Sequence, residues 1–313
     1  MAGYPKRSPS ETLKNQLTKA DLYLARAARA AELLRLPRRR RSRIHALLGI
    51  DRCLREVPLC DVSARKEGAK ILYDVIKGMK PHFAQTGMKV YHVTLVDEIG
   101  ITTDRNPTLR LKALKRKVDK AIRYVGLSGI VFVEVQPLLN YPGGGEGCTL
   151  MLHAHALCWG VVSERKVPKR LKCLNNSRSW ANQFGARPIL ARRLKDFKNI
   201  LKIACYVSKL PHDGKYRSPN SSGEWRFRPT IKGYTYRLAL RIAEGFSQYS
   251  IFDAVFSVAE GKHIRAIWKR RLVDWHRARL ERVEQEAPFD IPRFWSRLRR
   301  KHKSGYTVGF RHE

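Results

Sequence analysis

The spacing of hydrophobic positions divides the chain into three zones. Over residues 1–85 apolar side chains recur at helical intervals, through Leu22, Leu24, Ala28 and Leu33. Ser8-Pro9-Ser10-Glu11 has the form of a capping box with proline at the first helical position. Over residues 86–230 the period switches between two and 3.6. Val90 to Val96 alternates as a strand, with Val90, His92, Thr94 and Val96 on one face. Leu109 to Val125 has helical spacing. Ile130 to Gln136 and Thr149 to Trp159 read as two further strands, separated by the turn signal Asn140-Tyr141-Pro142-Gly143-Gly144-Gly145. Arg193 to Leu210 reads as a helix that Pro211 ends, and Trp225 and Phe227 alternate with charges as the start of an edge strand. Over residues 231–313 the helical period returns, best in Tyr236 to Phe246 and His263 to Glu286.

These elements predict an α+β fold. The order β-α-β-β-α-(β) is that of a ferredoxin-like split βαβ unit, a mostly antiparallel sheet against helices. Basic helical regions at 1–85 and 231–313 would flank a core at 86–230.

Composition narrows the partners. The 313 residues include 63 Lys and Arg against 27 Asp and Glu, a formal net charge of +36, while 43% are hydrophobic. The apolar content makes a globular chain, and the charge favours a polyanion. The run Arg38-Arg39-Arg40-Arg41 is a solvated face or a set of phosphate contacts. The six cysteines form no CxxC pair, which argues against a zinc finger and for reduced thiols in a cytoplasm. No apolar stretch reaches the length of a membrane span, and residues 1–30 lack a signal-peptide core.

Two motifs carry chemistry. His153 and His155 stand two apart on a strand and share a face, with Leu152, Ala154 and Ala156 on the other. Paired imidazoles can hold one divalent cation. On the preceding strand Phe132, Glu134 and Gln136 share a face, and a hairpin turning symmetrically at Gly143-Gly144 sets Glu134 opposite His153. A carboxylate in an apolar strand needs a partner, either a metal or one of the many cations. Gln136 is the other choice for a third ligand, and His92, Asp97 and Glu98 are more remote ones. In the helix beyond, Lys198, Lys202, Tyr206 and Lys209 fall on one face, opposite Phe197, Leu201 and Ala204. A polyanion against that face would relieve the repulsion between its lysines. Taken singly, each motif also has an ordinary structural reading, as packed histidines or an exposed helix.

An acidic strand residue, then HxH, then a helical YxxK resembles the HUH endonuclease superfamily, and plasmid-type rolling-circle replication initiators in particular. The resembling segments are Tyr91-His92-Val93-Thr94-Leu95, Glu134 with His153-Ala154-His155-Ala156-Leu157, and Tyr206-Val207-Ser208-Lys209. The resemblance implies a site-specific single-strand DNA nickase. Mg²⁺ or Mn²⁺ would be held by His153, His155 and Glu134. Tyr206 would be the nucleophile, linked to the 5′ phosphate and releasing a 3′-OH, and Lys209 would offset charge beside it. Lys198, Lys202 and Arg38 to Arg41 would contact DNA. The substrate would be a single-stranded or hairpin origin with its flanking duplex. No GxxxxGK[ST] loop is present, so unwinding would fall to a separate helicase. No second tyrosine follows four residues after Tyr206, which makes this a single-tyrosine pattern. The alternatives are a relaxase or transposase of the same superfamily, and a basic DNA-binding protein without catalysis.

Overall fold

The strands that alternate most regularly in sequence form the middle of the sheet. The computed structural model describes residues 8–48, 56–105, 107–139, 141, 147–163, 165–180, 187–207, 214–219, 225–229 and 235–283. Its elements are α1 (Pro9–Leu33), α2 (Arg38–Leu48), α3 (Val62–Gly78), α4 (Lys80–Gln85), β1 (Lys89–Thr103), α5 (Leu111–Val125), β2 (Ser128–Leu138), β3 (Thr149–Gly160), α6 (Lys166–Asn175), β4 (Ile189–Leu194), α7 (Phe197–Val207), β5 (Lys215–Pro219), β6 (Trp225–Pro229), α8 (Tyr236–Phe246), α9 (Ile251–Ala254), β7 (Val255–Val258) and α10 (Gly261–Val283). The sheet has seven strands, ordered β4-β1-β3-β2-β5-β6, and β7 also pairs with β2. Every ladder is antiparallel except β2 with β5. The fold is α+β with a mostly antiparallel sheet, as its pattern predicts.

Two cores sandwich the sheet, because alternate side chains on each central strand are apolar on both faces. One face presents Tyr91, Val93, Leu95, Val131, Val133, Val135, Leu152, Ala154 and Ala156, packed in one cluster with residues of α5, α6 and α8. The α5 stripe Leu111, Leu114, Val118, Ala121, Ile122 and Val125 is buried at helical spacing. Each large side chain in it contributes about 1.5–3 kcal/mol of burial. Gly126 stops the helix in the left-handed region, φ 85°, where its N–H reaches the Arg123 and Ile122 carbonyls. The other face presents Val90, Ile130, Phe132, Leu157 and Trp159 to α3, α4, α7 and α10. There the Trp268 indole stands edge-on to Phe132 at 5.7 Å and donates to the Gly68 carbonyl at 2.9 Å. Gly261 begins α10 against the Gly129 backbone, where a Cβ would collide with the Gly129 carbonyl.

The capping box at the start of α1 is formed. Ser8 N–H donates to Glu11 Oε2 at 2.6 Å, and Glu11 N–H donates to Ser8 Oγ at 3.2 Å. On α1 Ala20, Ala27 and Ala30 are buried and Leu33 is 40% exposed, while the side chains of Leu22, Leu24 and Ala28 lie outside the described residues. The stretch expected as one helix from Arg193 divides. Arg193 and Leu194 end β4, and the helix begins only at Phe197. The helix that follows β3 is therefore α6, and the next strand is β4, ahead of the strand expected from Trp225 and Phe227. Those two residues lie in β6, paired with β5. The C-terminal zone, expected to be helical, also supplies β7 to the sheet. Ser208, Lys209, Pro211 and the basic tail from Arg297 to Lys303 lie outside the described residues. Among the described residues no helix is long and apolar enough to cross a membrane.

Candidate metal centre and its tyrosine

Strand register places the polar residues. β2 and β3 pair without interruption, Glu134 opposite His153 and Phe132 opposite His155. This is the register that a hairpin symmetric about Gly143-Gly144 dictates. On the other side of β3, Thr94 stands opposite His155 and Val96 opposite His153. Immediately beyond, the β1–β3 register shifts between Val96 and Ile101. Such breaks in a ladder are common beside functional sites.

Three side chains converge. His153 Nε2 lies 3.3 Å and His155 Nε2 3.1 Å from Glu134 Oε2, and the two Nε2 atoms are 3.0 Å apart. All three residues are buried, at 2–4% exposure. Among the described residues this is the one group of three His, Cys, Asp or Glu side chains close enough to hold a metal ion. The spacing fits a cation: ligands about 2.0–2.2 Å from a common centre at tetrahedral or cis-octahedral angles stand roughly 3.0–3.5 Å from one another. The tautomer fits as well. His155 Nδ1 is 3.1 Å from Thr94 Oγ1 and 3.3 Å from His92 Nε2, and an Nδ1–H donated there leaves the Nε2 lone pair facing Glu134 and His153. The buried Glu134–His153–His155 group can therefore hold a metal ion.

The tyrosine is next to it. The Tyr206 ring stands edge-on to His155 at 5.2 Å and to His92 at 5.6 Å between centroids. It is half-buried at the end of α7, which packs on β3 and β4. Folding brings together four residues spread over more than seventy positions of sequence. No protein-family model, curated protein or solved structure matches the chain. What the site can do follows from its own atoms.

The other candidate residues divide. Gln136 lies two pairs further along β2, opposite Met151, and Glu134 is the residue grouped with the two histidines. Asp97 is committed elsewhere. It is ion-paired with Lys117 and accepts the Ile99 N–H at 3.0 Å. Glu98 is not in the ligand group, and His92 touches His155 without joining it. The single lysine face expected on α7 is not formed as such. Lys198 is exposed, but Lys202 is only 8% exposed. The helix is covered by α1 and α3 as well as by the sheet, so little of its circumference meets solvent. Arg38, Arg39 and Arg40 are exposed on the first turn of α2. Arg40 makes a two-pronged pair with Glu244, at 2.7 and 2.8 Å, and that hydrogen-bonded carboxylate raises its pKa. The buried side of α2, Ile44, Leu47 and Leu48, belongs to the core on the sheet face away from the histidines. Thr94 was not singled out as a functional residue, although the alternation of β1 already set it on the face of His92.

Proposed function

We propose that this protein is a metal-dependent DNA nicking and joining enzyme of the HUH type, acting as a rolling-circle replication initiator. The observation that carries this is the Tyr206 ring lying against the imidazole face that also forms the Glu134–His153–His155 group. The β1-α5-β2-β3-α6-β4 order, with antiparallel neighbours, supports reading the core as a ferredoxin-like split βαβ unit. The net charge of +36 supports a DNA partner.

The Tyr206 hydroxyl attacks a phosphodiester of single-stranded DNA. A bond forms between its oxygen and the 5′ phosphate, and the bond to the 3′ oxygen breaks. The phenolic proton leaves to solvent or a neighbouring base, and the departing 3′ oxygen takes up a proton to become the 3′-OH. The phosphotyrosyl ester keeps the energy of the broken linkage, so the strand can be rejoined. A bound Mg²⁺ or Mn²⁺ would supply charge stabilisation to the phosphate oxygens. Thr94 and His92 orient His155. Lys209, three residues after Tyr206, offsets charge on the phosphate. Lys198, Arg38 and Arg39 are exposed and Arg41 is partly so, which supports a role for them in contacting DNA, whereas Lys202 is too buried to serve as a surface contact. Unwinding falls to a separate helicase.

The test uses a pool of single-stranded oligonucleotides of random sequence with Mn²⁺. A 3′-end label should move into a covalent protein adduct, and a 5′-end label into a shortened free product. Both should vanish in Tyr206→Phe. An adduct that persists in that variant would rule out Tyr206 as the nucleophile. A relaxase or transposase would share this chemistry, and cleavage of hairpin ends in preference to an origin strand would identify a transposase.

A further inference from the structure

A second binding feature lies on the reverse side of the sheet edge. Between α6 and β4 is an open cleft of about 720 Å³, lined by Lys172, Arg187, Arg193 and Lys195 together with Asn175 and Asn176. Its floor is apolar, formed by Val167, Leu171, Ile189 and the ring of Tyr91. The four cations are all exposed, and among the described residues that line the cleft there is no carboxylate. The nearest acid in sequence, Asp196, is engaged at the start of α7, accepting from Asn199 N–H at 2.7 Å and Asn199 Nδ2 at 2.6 Å. The two walls are tied together. Asn175 Nδ2 donates to the Ile189 carbonyl at 2.9 Å, and Ile189 N–H donates to Asn175 Oδ1 at 2.8 Å.

β4 connects this cleft to the metal centre. It is the last strand of the sheet on that side. Arg192 stands opposite His92, on the site face, while Arg193 stands opposite Tyr91 and lines the cleft. Consecutive arginines thus put positive charge on both faces of one edge.

We infer that the cleft between α6 and β4 binds the single strand continuous with the nicked phosphodiester, which passes from the tyrosine around the β4 edge. This rests on the nicking reading for the identity of its substrate. The chemistry selects single-stranded nucleic acid. The exposed cations Lys172, Arg187 and Lys195 attract phosphates, an apolar floor accepts unstacked bases, and amide side chains meet base edges. The cleft volume of about 720 Å³ is that of a small-ligand site, roughly 300–1,000 Å³, a size that suits a few unstacked nucleotides.

The test measures binding alone, in EDTA, by fluorescence anisotropy on the full chain. The probes are a labelled 20-nucleotide single-stranded DNA of mixed sequence, the same sequence as duplex, and the same sequence as RNA. The double variant Lys172→Glu, Arg187→Glu is compared with Lys262→Glu, Arg270→Glu, an equal charge change at exposed positions of α10. The cleft variant should lose tenfold or more in affinity for single-stranded DNA, and the α10 variant less than threefold. The slope of log affinity against log salt should fall by about 1.4 in the cleft variant, about 0.7 for each lost phosphate contact. Equal losses in the two variants, an equal loss for duplex, or a loss confined to RNA would overturn the inference. Neither metal nor nicking enters this measurement. Loss of the covalent adduct with the cleft effect intact would therefore count against the tyrosine reading alone.

Discussion

β2 and β3 carry two different halves on one face. Toward one end Ile130, Phe132, Leu157 and Trp159 are buried against apolar side chains of α3, α4, α7 and α10. Toward the other end Glu134, His153 and His155 are buried to the same degree and meet one another. Both halves obey the same alternation and the same register. The difference lies in what compensates for the loss of water. Apolar surface gains free energy on burial in proportion to its area, whereas a buried carboxylate costs several kcal/mol unless charge or hydrogen bonds replace its hydration. One half is therefore built for stability, and the other is arranged so that it can hold a metal ion.

The largest effect that would break this comparison is on the apolar half. Trp268→Ala removes a 1%-exposed indole in contact with Phe132, together with its bond to the Gly68 carbonyl. It should cost about 3–5 kcal/mol in urea denaturation, with or without metal. A cost that disappears on adding Mn²⁺ would show that the two halves are not separable. On the polar half, wild type should gain about 2.7 kcal/mol of stability at a Mn²⁺ concentration 100 times its Kd. Glu134→Gln, similar in shape but without the charge, should lose most of that gain while changing metal-free stability far less than Trp268→Ala.

Thr94→Val sharpens the picture at a smaller scale. It removes the hydroxyl 3.1 Å from His155 Nδ1 and leaves the ligands in place. Mn²⁺ affinity should fall about 10- to 100-fold, the usual effect of losing an orienting partner. Unchanged affinity would assign the orienting role to His92 alone. The smallest effect belongs to the arginine run. Arg40→Ala breaks an ion pair whose partners are 52% and 29% exposed, and should change stability by about 1 kcal/mol or less.

The polar half was the more legible one. Two histidines at a spacing of two, an acid in an apolar strand and a symmetric glycine turn were enough to set Glu134 opposite His153. They suffice because strand alternation and hairpin register are local rules. β4 was not legible. Ile189 and Leu194 are buried at its ends, but Leu190, Arg192 and Arg193 are exposed, so an edge strand with one short ladder shows no alternation. The helix expectation ran back into it for that reason. The lysine face of α7 failed for a different cause. A helical wheel assumes one buried side, but α1 and α3 also pack on α7, and Lys202 is buried. Such coverage comes from distant segments and leaves no mark in the local period. The cleft between α6 and β4 shares that origin, since its walls meet only once the chain has folded.

The most direct test of the polar half is a Mn²⁺ titration of the full chain, followed through the electron paramagnetic resonance signal of the free ion. Wild type should remove one ion per chain before free Mn²⁺ appears, and the double variant Glu134→Gln, His153→Ala should remove none at that site. A free-ion signal rising from the first addition to wild type, or equal uptake by the variant, would contradict a metal centre built from these three side chains.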